Sequence, residues 1–152
     1  MKKGHVAITA FVALFFISLA FCAYAANQAD EAKIMVEKAA AYLKANGKEK
    51  ALEEFSKPKG HFVNGETYVF AYDLTATVIA HPYNSKLIGK NLLEVPDADG
   101  KFFRKTIVET AKAKGSGWVD YKYKNPQTNK VEQKTTYLQK SGDIIICCGT
   151  YK

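Results

Sequence analysis

Three runs rich in aromatic and β-branched residues, Trp118 to Lys124, Val131 to Gln139 and Asp143 to Tyr151, follow one another with only short separators. The separators are turns. Asn125-Pro126-Gln127-Thr128-Asn129 combines a rigid φ with side chains that cap their own backbone, and Ser141-Gly142 is a tight reversal. Connections this short join antiparallel neighbours, because a parallel crossover needs about a dozen residues or a helix. The C-terminal third is therefore committed to an antiparallel sheet. Upstream, Thr67-Tyr68-Val69-Phe70-Ala71-Tyr72 and Thr77-Val78-Ile79-Ala80-His81 flank a break near Asp73-Leu74-Thr75 and read as a hairpin. Pro82, which cannot donate to a strand ladder, ends the second arm.

Helical periodicity appears on either side of that hairpin. From Asp30 to about Ala45, Ala32, Met35 or Val36, Ala39 and Leu43 form one apolar stripe, with Asn27 as the expected cap and Asn46-Gly47 as the stop. A shorter helix is expected from Glu49 to Phe55, before Pro58 and Gly60. Lys101 to Ala113 reads as a third helix, burying Phe102 or Phe103, Ile107, and Thr110 or Ala111, while Tyr83 to Pro96 reads as a loop with short helical turns. The expected fold is α+β: an antiparallel sheet of about five strands with a long N-terminal helix and smaller flanking helices at one edge.

The first 25 residues stand apart. Lys2 and Lys3 precede an apolar run from Val6 to Phe21, and Ala23-Tyr24-Ala25 has the small-x-small pattern of a signal peptidase site. Residues 1–25 are expected to be a secretory signal peptide and 26–152 a single domain that is periplasmic or secreted. An uncleaved N-terminal membrane anchor is the alternative, since the apolar run lies near the lower limit for crossing a bilayer. Phe21 before Cys22 argues against lipoprotein processing. The formal charge of +7 falls to +5 on cleavage, with 20 basic against 15 acidic side chains. Arg104 is the only arginine and acids interrupt the lysine groups, so no nucleic-acid partner is expected.

Residues with chemical potential are few. His61 and His81 do not begin a metal-ligand arrangement, and Asp97-Ala98-Asp99-Gly100 lacks the later positions of a calcium loop. Lys86 to Lys90 lacks the spacing of a phosphate loop. No serine sits in a nucleophile elbow. Cys147 and Cys148 point to opposite faces of an ideal strand, which favours two buried thiols over a disulfide. Neither an enzymatic activity nor a cofactor or metal is expected.

Taken in order, Gly65-Glu66-Thr67-Tyr68-Val69-Phe70-Ala71-Tyr72-Asp73, Val78-Ile79-Ala80-His81-Pro82, Leu87-Ile88-Gly89-Lys90-Asn91-Leu92, Asp97 through Lys101, Gly117-Trp118-Val119-Asp120-Tyr121, Asn125-Pro126 and Lys134-Thr135-Thr136-Tyr137 resemble the single Cache domain family, a PAS-like group of extracytoplasmic sensors. The resemblance spans nearly all of residues 26–152. It implies a small-molecule pocket between the sheet and its covering layer, with a small organic acid or other small metabolite as ligand. Carried onto this chain, it nominates Tyr68, Phe70, His81, Trp118, Tyr121, Lys134 and Tyr137 as pocket residues. Lys134 is the expected carboxylate partner, since an ammonium in a partly dry pocket offers charge-assisted donors. Ideal alternation sets Tyr137 on the face opposite Lys134, so joint contact would require a bulge or a neighbouring loop.

No signalling output domain is expected after Lys152, so an envelope receptor or signalling protein would be the partner; the oligomeric state is left open. Two other readings stand beside ligand binding. One is an envelope protein-interaction domain without a ligand; the other is a thiol-redox protein built on Cys147 and Cys148.

Overall fold

The computed structural model describes residues 28–152, so the signal-peptide reading, Cys22 and the Asn27 cap lie outside the described residues. Helix α1 occupies residues 28–46 and α2 spans Lys48–Phe55. The sheet strands are β1 (Val63–Asn64), β2 (Thr67–Asp73), β3 (Val78–Ala80), β4 (Ser116–Lys124), β5 (Val131–Ser141) and β6 (Ile144–Tyr151), with α3 (Phe103–Lys114) between β3 and β4. All pairings are antiparallel, in the order β1-β2-β6-β5-β4, and β3 lies along β2 beyond β1. The expected hairpin and the three C-terminal strands are all present. Gly142 turns the last hairpin at φ 62°, a backbone region that carries little strain only without a side chain.

The β2–β3 connection is built from one carboxylate. Asp73 Oδ1 accepts hydrogen bonds from the backbone N–H groups of Thr75 and Thr77 and from the Thr75 hydroxyl, which closes the break between the arms.

Helices cover both faces of the sheet, which differs from the expected placement at one edge. Ala32, Val36 and Ala39 of α1 and Ala51 and Phe55 of α2 pack with Val69, Ala71, Tyr137, Ile144, Ile146 and Cys148 on one face. On the other, Phe103, Ile107, Val108 and Ala111 of α3 pack with Tyr68, Phe70, Tyr72, Val119, Tyr121, Leu138, Ile145 and Cys147. Odd and even residues of β2 and β6 thus enter different cores, so Thr67 to Tyr72 and all of β6 are buried. The first expected stripe on α3 resolves to Phe103, while Phe102 is 44% exposed.

Residues 82–102 complete the second layer. Their backbone is laced to β3 by hydrogen bonds from Val78 N–H to the Lys90 carbonyl and from Gly89 N–H to the Val78 carbonyl. Leu87, Leu92 and Leu93 drop onto the α3-side core. At the far end, Asp97 accepts N–H bonds from Asp99, Lys101 and Lys122, all at 2.9 Å, and so ties the loop to β4. This carboxylate organises a turn. His61 is also structural: its Nδ1 lies 2.7 Å from Glu54 Oε1, and its backbone N–H, with Lys57, holds the Glu54 carboxyl down at about 2.

Candidate functional site

Strand alternation places Lys134 of β5 on the α3 side, directly between Tyr121 of β4 and Tyr151 of β6. The next row along the sheet pairs Tyr68 with Gly149 and Gly149 with Thr136. Gly149 carries no side chain on this face, and the Lys134 stem occupies the space above it. The amine thereby reaches across β6, donating to Tyr68 Oη at 3.0 Å and Tyr151 Oη at 3.3 Å. It also lies 4.1 Å from the centre of the Tyr68 ring and 4.6 Å from that of Tyr151, within the range of cation–π attraction.

Lys134 is fully buried. Among the described residues, none of the ion pairs involves it or the other buried cation, Arg104. Its partners are neutral hydroxyls and ring faces. Burial without a counter-ion therefore penalises the ammonium, and its pKa falls from about 10.5 to about 7. Arg104 reaches in from α3, donating from Nε to Tyr72 Oη and from Nη1 to the Val95 carbonyl, both at 3.2 Å.

His81 closes the same region from the end of β3. Its Nδ1 accepts N–H bonds from Tyr83 and Asn84, at 3.2 and 3.1 Å, so in the neutral ring the proton sits on Nε2. Burial, then the positive charges of Lys134 and Arg104, hold its pKa at about 3, and the imidazole stays neutral. Tyr83 leans edge-on against Tyr68 with ring centres 5.0 Å apart, and its hydroxyl donates to the Gly65 carbonyl at 2.7 Å. Tyr121 stacks on Phe103 at 3.9 Å and hydrogen-bonds with Thr136 at 2.9 Å.

These groups surround a cavity lined by Tyr68, Phe70, Tyr72, His81, Tyr121, Tyr123 and Lys134. Its free space is about 10 Å³, enough for one water molecule. Chemically it offers an ammonium, an imidazole N–H and phenolic hydroxyls inside aromatic walls, a donor-rich set suited to a compact anion. The thiols do not contribute reactivity here: burial pushes Cys148 up to about 12 and Cys147 higher still.

Five residues nominated from the sequence, Tyr68, Phe70, His81, Tyr121 and Lys134, meet at this cavity. Trp118 and Tyr137 do not. Strands β4 and β5 pair in regular register with no bulge, so Trp118 and Tyr137 stay on the α1 face, in tilted contact with ring centres 5.1 Å apart. Trp118, 43% exposed, borders a separate open groove of about 210 Å³ beside Gln28 and Ala29. Tyr72, Tyr123, Tyr151 and Arg104 escaped sequence reasoning. Tyr72 and Tyr123 follow their neighbours at the two-residue period, whereas placing Tyr151 beside Lys134 requires the strand register.

Residues 26–152 match the family model described as single Cache domain 2. Among curated proteins, the chain is 35% identical over 71 residues to the sensor histidine kinase MctS of Rhizobium johnstonii, covering 47% of this chain and 15% of that protein. It is 32% identical over 88 residues to the methyl-accepting chemotaxis protein McpP of Pseudomonas putida, covering 57% of this chain and 16% of that protein. The chain thus matches less than a fifth of the length of either relative. Of solved structures, a periplasmic sensor domain of a chemotaxis protein superposes with TM-score 0.65 at 25% identity, covering 85% of this chain and 93% of that one. A Cache chemosensory domain described for carboxylic acid recognition superposes with TM-score 0.70 at 24% identity, covering 84% and 95%.

Proposed function

The chain belongs to the single Cache domain 2 family, and from that premise we propose that it captures a short organic acid in the cavity around Lys134. Domains of this family are extracytoplasmic sensor modules that bind ligands and do not catalyse reactions. The observation that carries the proposal is a fully buried lysine whose neighbours include no carboxylate in ion-pair contact. A ligand carboxylate supplies that missing charge. In this reading Lys134 and the His81 Nε2–H hold the carboxylate, Tyr68 contributes its hydroxyl, and Phe70 and Tyr121 wall the apolar end. Trp118 and Tyr137 have no part in it, because the sheet lies between them and the amine.

With space for one water, the described conformation is closed. Admission of an acid requires the cover to move, and the contacts over Tyr68 are the ones to yield: the Tyr83 ring and the His81 turn. A short acid with a single carboxylate fits this site best, because the Arg104 guanidinium is already engaged by Tyr72 and Val95. Support for carboxylate chemistry also comes from the related Cache domain described for carboxylic acid recognition.

Titration calorimetry of the dialysed protein with formate, acetate, propionate, butyrate and succinate tests this reading. Saturable one-to-one binding with Kd below about 1 mM, equivalent to about 4 kcal/mol, is expected for at least one monocarboxylate, with succinate weaker. Absence of saturable heat for all five at pH 6 to 7 contradicts it. The small cavity favours one second reading, a domain that keeps the fold but acts through its surface on an envelope partner; that negative result, with partner capture, would support it.

A further inference from the structure

We propose that a carboxylate entering the Tyr68–Lys134 cavity brings one proton with it, taken up by the Lys134 amine, so that occupancy declines as the surroundings become alkaline. This inference rests on the binding site proposed above and concerns how that site is regulated. Its basis is geometric. The amine is sealed between β2, β5 and β6 and bonded only to phenol oxygens. Among the described residues an ammonium there has no ion-pair partner until an anion arrives, the more distant Glu66 charge offsetting only part of the burial penalty, whereas a neutral amine satisfies the same hydroxyls without one.

The groups facing Lys134 leave it as the titrating site between pH 6 and 9. From β2, β4 and β6, burial raises the pKa of Tyr68, Tyr121, Tyr123 and Tyr151, which remain neutral phenols. Cys147 and Cys148 of β6 remain thiols. His81, beyond β3, remains neutral because burial and the adjacent cations oppose its protonation. Arg104 of α3 is turned to Tyr72 Oη and the Val95 carbonyl. Glu66, before β2, accepts from Asn125 at 2.9 Å and makes no ion pair with the amine. Lys134 itself changes charge near pH 7 when the cavity is unliganded.

The sign follows from linkage. Below that value the amine is already protonated, so an anion binds without proton exchange and affinity is flat. Above it, binding must first protonate the amine, and the bound carboxylate raises its pKa. Affinity then falls about tenfold per pH unit, with close to one proton absorbed per site.

Calorimetry with acetate and propionate at pH 6.0 and 8.5, each in phosphate and in Tris, reads this directly. At pH 8.5 the observed heats should differ by close to the difference between the two buffers' ionisation enthalpies, and Kd should exceed its pH 6.0 value at least tenfold. At pH 6.0 the heats should agree between buffers. Equal affinity at both pH values with buffer-independent heat overturns the inference while leaving the binding reading intact; no binding of either acid at either pH overturns the inference, and the binding reading falls with it when formate and butyrate fail as well. Lys134→Arg, checked for folding by thermal melting, should bind with a pH-independent Kd if it folds. Should it unfold, the Lys134 13Cε resonance of the native protein gives the same answer: a midpoint near pH 7 in free protein, displaced upward by about two units or more under saturating acetate, or an unchanged midpoint that refutes the coupling.

Discussion

Replacing Lys134 with methionine should stabilise the unliganded protein by about 2–4 kcal/mol at pH 6, while weakening carboxylate binding at least 30-fold. Both effects have one origin. An ordinary lysine retains its proton to about pH 10.5, but in the folded chain Lys134 releases it at about 7. Where both folded and unfolded chains are protonated, below pH 7, the native state bears the full cost of an ammonium buried without a counter-ion. Between pH 7 and 10.5 the unfolded chain binds more protons than the folded one, so stability rises with pH. Methionine fills the same channel over Gly149 without a charge. Tyr68 loses a hydrogen-bond donor in the exchange, whereas the Tyr151 hydroxyl keeps the Lys124 carbonyl at 3.1 Å. The gain should therefore shrink by pH 9, as the native amine becomes neutral. Denaturant melts of the two proteins at pH 6 and pH 9 measure it. A variant less stable than the parent at pH 6 would mean that the amine is a structural asset and not a site held ready for an anion.

Gly149→Ala should cost about 1–3 kcal/mol, at the upper end of overpacking penalties, and should abolish acid binding. A Cβ at position 149 would overlap the Thr136 hydroxyl and lie 2.7 Å from both Lys134 Cε and the Thr135 carbonyl oxygen. Strand β6 is flanked by β2 and β5, so neither the backbone nor the Thr135 oxygen can retreat. The two side chains must give way: the Thr136 hydroxyl turns at the cost of its bond to Tyr121, and the Lys134 stem rises into the cavity. The glycine serves a close approach, unlike Gly142, whose role is conformational. Gly149→Ala combined with Lys134→Met should not recover binding. A single Gly149→Ala protein with native stability and native acetate affinity would show that the amine does not depend on the gap.

How far the architecture could be read in advance depends on the element. The C-terminal strands were legible because Asn125-Pro126 and Ser141-Gly142 leave no length for anything but antiparallel return. The stripe Ala32, Val36 and Ala39 announced an amphipathic helix, but a stripe does not say which face of a sheet it covers. Placement at one edge therefore gives way to helices on both faces. The cavity was partly legible for the same reasons. Tyr68 and Phe70 share a strand face by simple parity, and parity also extends the row to Tyr72 and from Tyr121 to Tyr123. Trp118 and Tyr137 failed on that rule too, because β4 and β5 contain no bulge to carry them across. What parity cannot supply is register: the two pairings that set Lys134 between Tyr121 and Tyr151 and Tyr68 opposite Gly149 depend on the assembled sheet. Arg104 shows a different difficulty. It sits in the apolar row of α3 beside Phe103 and Val108, where burial of a guanidinium depends on a tyrosine and a carbonyl distant in sequence.

A crystal structure of the protein grown with saturating acetate or propionate tests the central claim most directly. The account predicts a carboxylate oxygen at hydrogen-bond distance, about 2.7–3.2 Å, from both Lys134 Nζ and His81 Nε2, with the Tyr83 ring displaced outward from Tyr68. An acid bound elsewhere, or a cavity that still holds no more than one water beneath an unmoved Tyr83, would contradict it.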